Sequence, residues 1–173
     1  QGVEGAYSFG AMKEFFDDTI TSFHVDTWKE AMEAITKGEA DYAVLPIENS
    51  TAGIVSDIYD LLVEYPHYIV GEQELPVEHV LMALPGAKVE EIRTVISHPQ
   101  ALAQCRRFLD SNENWKTEER LNTAAAAKEV SESGDLTMAA VGSPYAAEHF
   151  GLQILKEGIF DARGNTTRFV IIS

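Results

Sequence analysis

Short apolar runs alternate along this chain with longer segments whose apolar residues recur at helical spacing. That alternation favours an α/β architecture. Ala43–Leu45, His67–Gly71, Val77–Leu84, Thr94–Ile96, Met138–Val141 and Thr167–Ile172 read as strands. Between them, Ile54–Tyr65 carries an apolar stripe at Ile54, Ile58, Leu61 and Leu62, the signature of a half-buried helix. Pro99–Asp110, the alanine-rich Thr123–Ser133 and Pro144–Phe150 read as further helices. Strands separated by helices usually pair in parallel, so mostly parallel sheets are expected.

Composition narrows the function classes. With 173 residues and 45% apolar content, the chain is long enough to bury a substantial core, as one domain or two small lobes. A formal net charge of −15 and a sequence pI near 4.6 argue against nucleic acid and anionic membrane as partners. A small-molecule substrate is expected instead. The single cysteine, Cys105, excludes an internal disulfide and fits a reducing compartment, so a cytoplasmic protein is expected. Its place in an apolar helical pattern favours packing over reactivity. His24, His67, His79, His98 and His149 are scattered, without a metal-ligand pair at helical spacing. Gly2-x-x-Gly5 is too short for a phosphate loop, and no metal or other cofactor is expected.

Chemistry-bearing residues gather at junctions. Ser8, Asn49-Ser50-Thr51, Ser97-His98 and Ser143 each stand after a strand or turn and before a helix, with Pro99 and Pro144 suited to the first helical position. Plain capping explains any one of them. Several helix N-termini at the carboxyl ends of strands would also present free N–H groups to an anion. At the other end of the chain, Asn165-Thr166-Thr167-Arg168 runs directly into the apolar Phe169–Ile172. Such a segment is either a satisfied strand edge or a place where side chains face a ligand.

Four segments, Gly2–Ser8, Leu45–Gly53, Ser97–Leu102 and Asn165–Phe169, resemble in order and spacing the catalytic domain of prephenate dehydratase, along essentially the whole chain. The resemblance implies two α/β lobes with an interlobe cleft, similar to type II periplasmic binding proteins. The first lobe is expected at 1–74 plus 160–173 and the second at 75–159. It implies a cofactor-free lyase reaction of phenylalanine biosynthesis, in which prephenate loses carbon dioxide and water to give phenylpyruvate. It also implies a homodimer, with native fusion to an ACT domain or a chorismate mutase in some members. The family places a strand before Gly2, missing here, and a trimmed domain without a regulatory ACT module is therefore expected.

By the same resemblance, Thr167 is the residue expected to assist the departing hydroxyl, with Thr166 as the neighbouring alternative. Substrate contacts are expected from Ser8, Asn49, Ser50, Thr51, Ser97, Gln100, Asn165, Thr166, Arg168 and Phe169. Arg168 fits either a substrate carboxylate or a structural ion pair, and Phe169 is expected to pack beneath the site. Glu48, a carboxylate beside an anionic substrate, reads as an orienting residue, and His98 as structural. Ala6 stands where many members carry Ser or Thr, a form shared with dehydratases that accept arogenate. Arogenate is thus the alternative substrate, and a non-catalytic small-molecule binder of the same fold is the rival.

Overall fold

The computed structural model describes residues 4–16, 20–161 and 164–173; the opening Gln1-Gly2-Val3 of the first motif lies outside them. The chain divides into two compact units. One is formed by Tyr7–Val77 and Gly164–Ser173, the other by Glu4–Ala6 with Glu78–Arg163.

The first unit is built on a four-stranded sheet. In chain order its elements are α1 (Tyr7–Phe15), α2 (Trp28–Thr36), β1 (Ala43–Asn49), β2 (Gly53–Ile54), α3 (Ser56–Glu64) and β3 (Ile69–Pro76), with the final strand returning from the chain's end. That final strand, Thr166–Ile172, lies between β1 and β3 and is antiparallel to both. Its apolar half is buried, with Phe169, Val170, Ile171 and Ile172 each at most 4% exposed. Strand side chains alternate between faces. Val170 and Ile172 meet Leu45, Ile47, Met32 and Ile58 in the core beneath α2 and α3. On the opposite face Gly71 lies against α1, and a Cβ there would collide with the Phe15 ring. A larger residue here would make the tip of the Phe15 ring move aside.

Helix α2 starts at a capping box. Thr27 Oγ1 accepts from Glu30 N at 3.2 Å, and Glu30 Oε2 accepts from Thr27 N at 3.0 Å. The Thr-x-x-Glu spacing carries this signal in the sequence, yet neither α1 nor α2 was among the expected elements.

The second unit holds β4 (Val80–Ala83), β5 (Thr94–Ser97), α4 (Pro99–Gln104), α5 (Arg106–Asp110), β6 (Lys116–Glu119), α6 (Thr123–Ser133), β7 (Met138–Gly142), α7 (Pro144–His149) and β8 (Gln153–Lys156), followed by the returning strand, β9 (Thr166–Ile172) of the first unit. Its five strands run in the order β6-β5-β7-β4-β8. Alanines of α6 and α7 pack with Val80, Met82 and Ile96 in one core cluster. Asn122 caps α6 through Ala125 N at 2.7 Å, and Gly134 ends it in the left-handed region at φ 65°. Cys105 is fully buried, and that burial, reinforced by the Asp161 charge, pushes its thiol up to about 12.

The α/β class stands, but the expectation of mostly parallel sheets is corrected. Among the described residues, only β5–β6 and β5–β7 are parallel, and every other pairing is antiparallel. Parallel pairing arises where α4–α5 and α6 cross over; β9 instead enters its sheet from a distant part of the chain. Helix Pro99–Asp110 breaks at Cys105, whose ψ of 15° leaves the helical range. The two expected runs His67–Gly71 and Val77–Leu84 resolve into β3 and the shorter β4.

Two stability predictions arise here. Ser143 is fully buried; its hydroxyl accepts from Ala146 N at 3.0 Å and donates to Gly5 O at 2.6 Å. Ser143→Ala should cost about 1–3 kcal/mol, read as a lower urea midpoint, because it removes a cap and leaves a buried carbonyl unpaired. Burial also lowers the pKa of His79, against a partly compensating bond to Gln104 Oε1 at 2.8 Å. The folded-state value then lies below the unfolded value of about 6.5. Its contribution is full above pH ~6.5 and is lost as pH falls, because only the unfolded chain accepts the proton. Urea midpoints at pH 7.5 and 5.5 should differ less in His79→Gln than in the parent.

Candidate active site

The amide of Asn49 organises the end of the first unit's sheet. Its Oδ1 accepts from Thr51 N at 3.0 Å and Ala52 N at 2.9 Å, closing the turn that joins β1 to β2. Two N–H donors on that side fix which end of the amide is oxygen. Nδ2 is thereby turned toward β9, where it donates to Thr167 Oγ1 at 2.8 Å and to Asn165 Oδ1 at 2.7 Å, with Thr166 O at 3.3 Å. A second set of bonds ties the same turn to β9. Ser50 N donates to Thr166 O at 2.9 Å, Thr166 N to Ser50 Oγ at 2.9 Å, and Ser50 Oγ to Gly164 O at 3.1 Å.

The Thr167 hydroxyl accepts one hydrogen bond and keeps its proton. A hydroxyl whose oxygen is already bonded by a fixed amide is oriented, and its O–H remains available to donate to a ligand. Thr167 is part-buried and opposite Leu75, which is 1% exposed. Thr166 stands one residue away and so points to the other face of the sheet. The family resemblance favours Thr167 over Thr166, and cross-strand register sets the two on opposite faces.

Arg168 also faces away from Thr167. Its Nη2 donates to Glu48 Oε2 at 2.7 Å, and Nη1 lies 3.9 Å from Glu72 Oε2. Between the two readings open for Arg168, the geometry has the ion pair. Phe169 is 2% exposed, beneath Thr167 on the same face. Glu72 was not anticipated, since β3–β9 pairing has no short-range sequence signal.

Helix α1 packs on β3, with Phe15 against Gly71 and the Glu14 carboxylate accepting from Gln73 Nε2 at 3.3 Å. Ser8 is the second residue of that helix rather than its cap.

Two further helix-start expectations need correction. Asn49-Ser50-Thr51 close a strand-to-strand turn, and the following helix α3 starts at Ser56, with Val55 before it making no side-chain cap. In the second unit, His98 rather than Ser97 caps α4, with Nδ1 accepting from Gln100 N at 3.2 Å. Ser97 is fully buried and its hydroxyl donates to Val141 O at 2.6 Å, so its proton is committed to the sheet. Gln100 is exposed on α4. Among the described residues, no group of three or more His, Cys, Asp or Glu is placed to hold a metal ion.

The chain is thus a two-unit α/β protein with a hydroxyl held by an amide at one sheet end. A family model described as prephenate dehydratase matches residues 1–173, and the chain belongs to that family. It is 44% identical to arogenate dehydratase 1 of Petunia hybrida, over 100% of this chain and 41% of that protein. Arogenate dehydratase 3, chloroplastic, of Arabidopsis thaliana is 42% identical with the same coverage. A bifunctional chorismate mutase/prephenate dehydratase of Enterobacter agglomerans is 34% identical, over 99% of this chain and 45% of that protein. The chain thus spans about two fifths of the length of the curated relatives it matches.

Among solved structures, GqqA, titled a quorum-quenching acylase, superposes with a TM-score of 0.90 at 39% identity, over 100% of this chain and 62% of that one. The prephenate dehydratase of Arthrobacter aurescens, in complex with L-Phe, gives a TM-score of 0.85 at 31% identity, over 99% and 58%. The cytoplasmic expectation is corrected by these relatives: arogenate dehydratase 3 of Arabidopsis thaliana, which matches the whole of this chain at 42% identity, is named chloroplastic. A lone buried cysteine does not distinguish two reducing compartments.

Proposed function

We propose that this chain is a dehydratase domain acting on prephenate or arogenate, with the Thr167 hydroxyl assisting departure of the ring hydroxyl. The observation that carries it is the Asn49 Nδ2 to Thr167 Oγ1 hydrogen bond of 2.8 Å in a chain of this family. In the reaction the bond from the ring to its carboxylate breaks and its electron pair enters the ring. The C4–O bond breaks, the hydroxyl leaves as water with a proton that solvent supplies, and the ring becomes aromatic. Thr167 donates a hydrogen bond as charge develops on the leaving oxygen, a role worth roughly 10²–10⁴ in rate for a well-placed acid.

Ser8 and the first turn of α1 supply N–H groups suited to the side-chain carboxylate. The departing carboxylate calls for weaker contacts, since tight binding of that charge stabilises the ground state. Arg168, already paired with Glu48, suits this division by leaving the substrate's carboxylates to neutral donors. Phenylalanine is the product from arogenate and phenylpyruvate from prephenate. Arogenate has specific support in the naming of the 44% identical Petunia relative. A homodimer belongs to this reading, checked by sedimentation. An acylase reading, after the activity described for GqqA, lacks support at Thr167, whose bonded partner Asn49 is a donor and not a base.

The test is incubation with each acid at neutral pH. Ultraviolet absorbance in alkali follows phenylpyruvate, and chromatography follows phenylalanine. Turnover of one or both supports the reading; a folded domain that binds either acid without turnover supports the binding-protein alternative.

A further inference from the structure

Strands β1 and β9 do not pair in one register. From Ala43↔Ile172 to Pro46↔Phe169 the partners follow a regular ladder, but the next pairs are Glu48↔Arg168 and Asn49↔Thr167. Ile47 is the extra residue, a β-bulge. Continued without the bulge, the same ladder would put Ile47 opposite Arg168, Glu48 opposite Thr167 and Asn49 opposite Thr166. Glu48 would then stand on the Thr167 face beside Phe169 and Leu75, both almost fully buried, with no cation opposite it.

We infer that the bulge at Ile47, held by the Glu48–Arg168 ion pair, is a register lock that sets an amide rather than a carboxylate against the Thr167 hydroxyl. The inference rests on the reading of Thr167 as the hydrogen-bond donor to the leaving hydroxyl. The chemical difference is large. An amide N–H leaves the threonine proton free, whereas a carboxylate accepts it and places negative charge beside an anionic substrate. The bulged register sends Glu48 to the opposite face, where Arg168 Nη2 donates to it at 2.7 Å and Glu72 flanks the pair. Pro46, immediately before the bulge, lacks the N–H that a regular central strand would need. β2 pairs with β1 at Glu48 and Asn49, past Pro46 and the bulge. Glu48 and Arg168 are in this account positioning residues that act through Asn49.

Steady-state kinetics of Glu48→Gln, Arg168→Gln and the double variant test the lock, alongside NMR of the Asn49 side-chain amide. A lock predicts that each single variant lowers kcat about tenfold with KM within about threefold, and that the double variant is no worse than the poorer single. The Asn49 amide protons should shift in all three. Three results overturn it: additive losses, an Arg168→Gln effect confined to KM as for a carboxylate anchor, or unchanged Asn49 resonances. If the parent chain turns over neither acid, the dehydratase reading fails, and the NMR comparison alone still decides the lock.

Discussion

Thr167→Ala should lower kcat by about 10²–10⁴ while leaving KM within a few-fold of the parent. The loss falls on kcat because the hydroxyl's contact strengthens only as charge develops on the departing oxygen. The fold should survive: Thr167 is part-buried, its backbone stays paired with β1 and β3, and alanine removes one hydrogen bond. A circular dichroism melt close to the parent's would separate loss of chemistry from loss of structure. Thr167→Ser retains the oxygen and its proton and should recover most of the rate. A Thr167→Ala variant with parental kcat would remove this residue from the mechanism.

Asn49 carries the second large effect, and the informative change is the nearly isosteric Asn49→Asp. Aspartate keeps the oxygen that accepts from Thr51 N and Ala52 N, so the turn is preserved. It replaces the donor facing Thr167 with an acceptor, which captures the hydroxyl proton and adds a charge that repels the substrate. Asn49→Asp should therefore lose roughly 10²-fold or more in kcat/KM, at least as much as Asn49→Ala, with little change in the urea midpoint. Steady-state kinetics of both variants check the ordering. If aspartate were the milder change, the turn rather than the donated hydrogen bond would be what Asn49 provides.

How legible was this in the sequence? The α/β class was, because strand and helix periodicities are local. The helix Thr123–Ser133 is delimited by Asn122 and Gly134, side chains that mark helix ends on their own. Strand direction was not, because β9 pairs with β1 across more than a hundred residues and nothing near Thr166 announces its neighbours. Similar limits applied at the site. Leu45-Pro46-Ile47-Glu48-Asn49 is the stretch that singled out Asn49, and Pro46 within it was the one local hint of a bulge. That Asn49 serves Thr167, that Arg168 is held by Glu48, and that Ser97 spends its proton on Val141 are facts of register and burial. They become readable only when the sheets are built. The capping box at Thr27 and Glu30 is a different case: its signal is local, and α2 was open to recognition from sequence.

The most direct test compares Thr166→Ala with Thr167→Ala in the same assay, on whichever of prephenate and arogenate the parent turns over. These side chains are adjacent in sequence and opposite in the sheet, so composition and general stability are matched while the site geometry is not. The account predicts that Thr167→Ala loses about 10² or more in kcat and that Thr166→Ala stays within about tenfold of the parent. The reverse order, or equal losses, would contradict the claim that the hydroxyl held by Asn49 is the one that serves the leaving group.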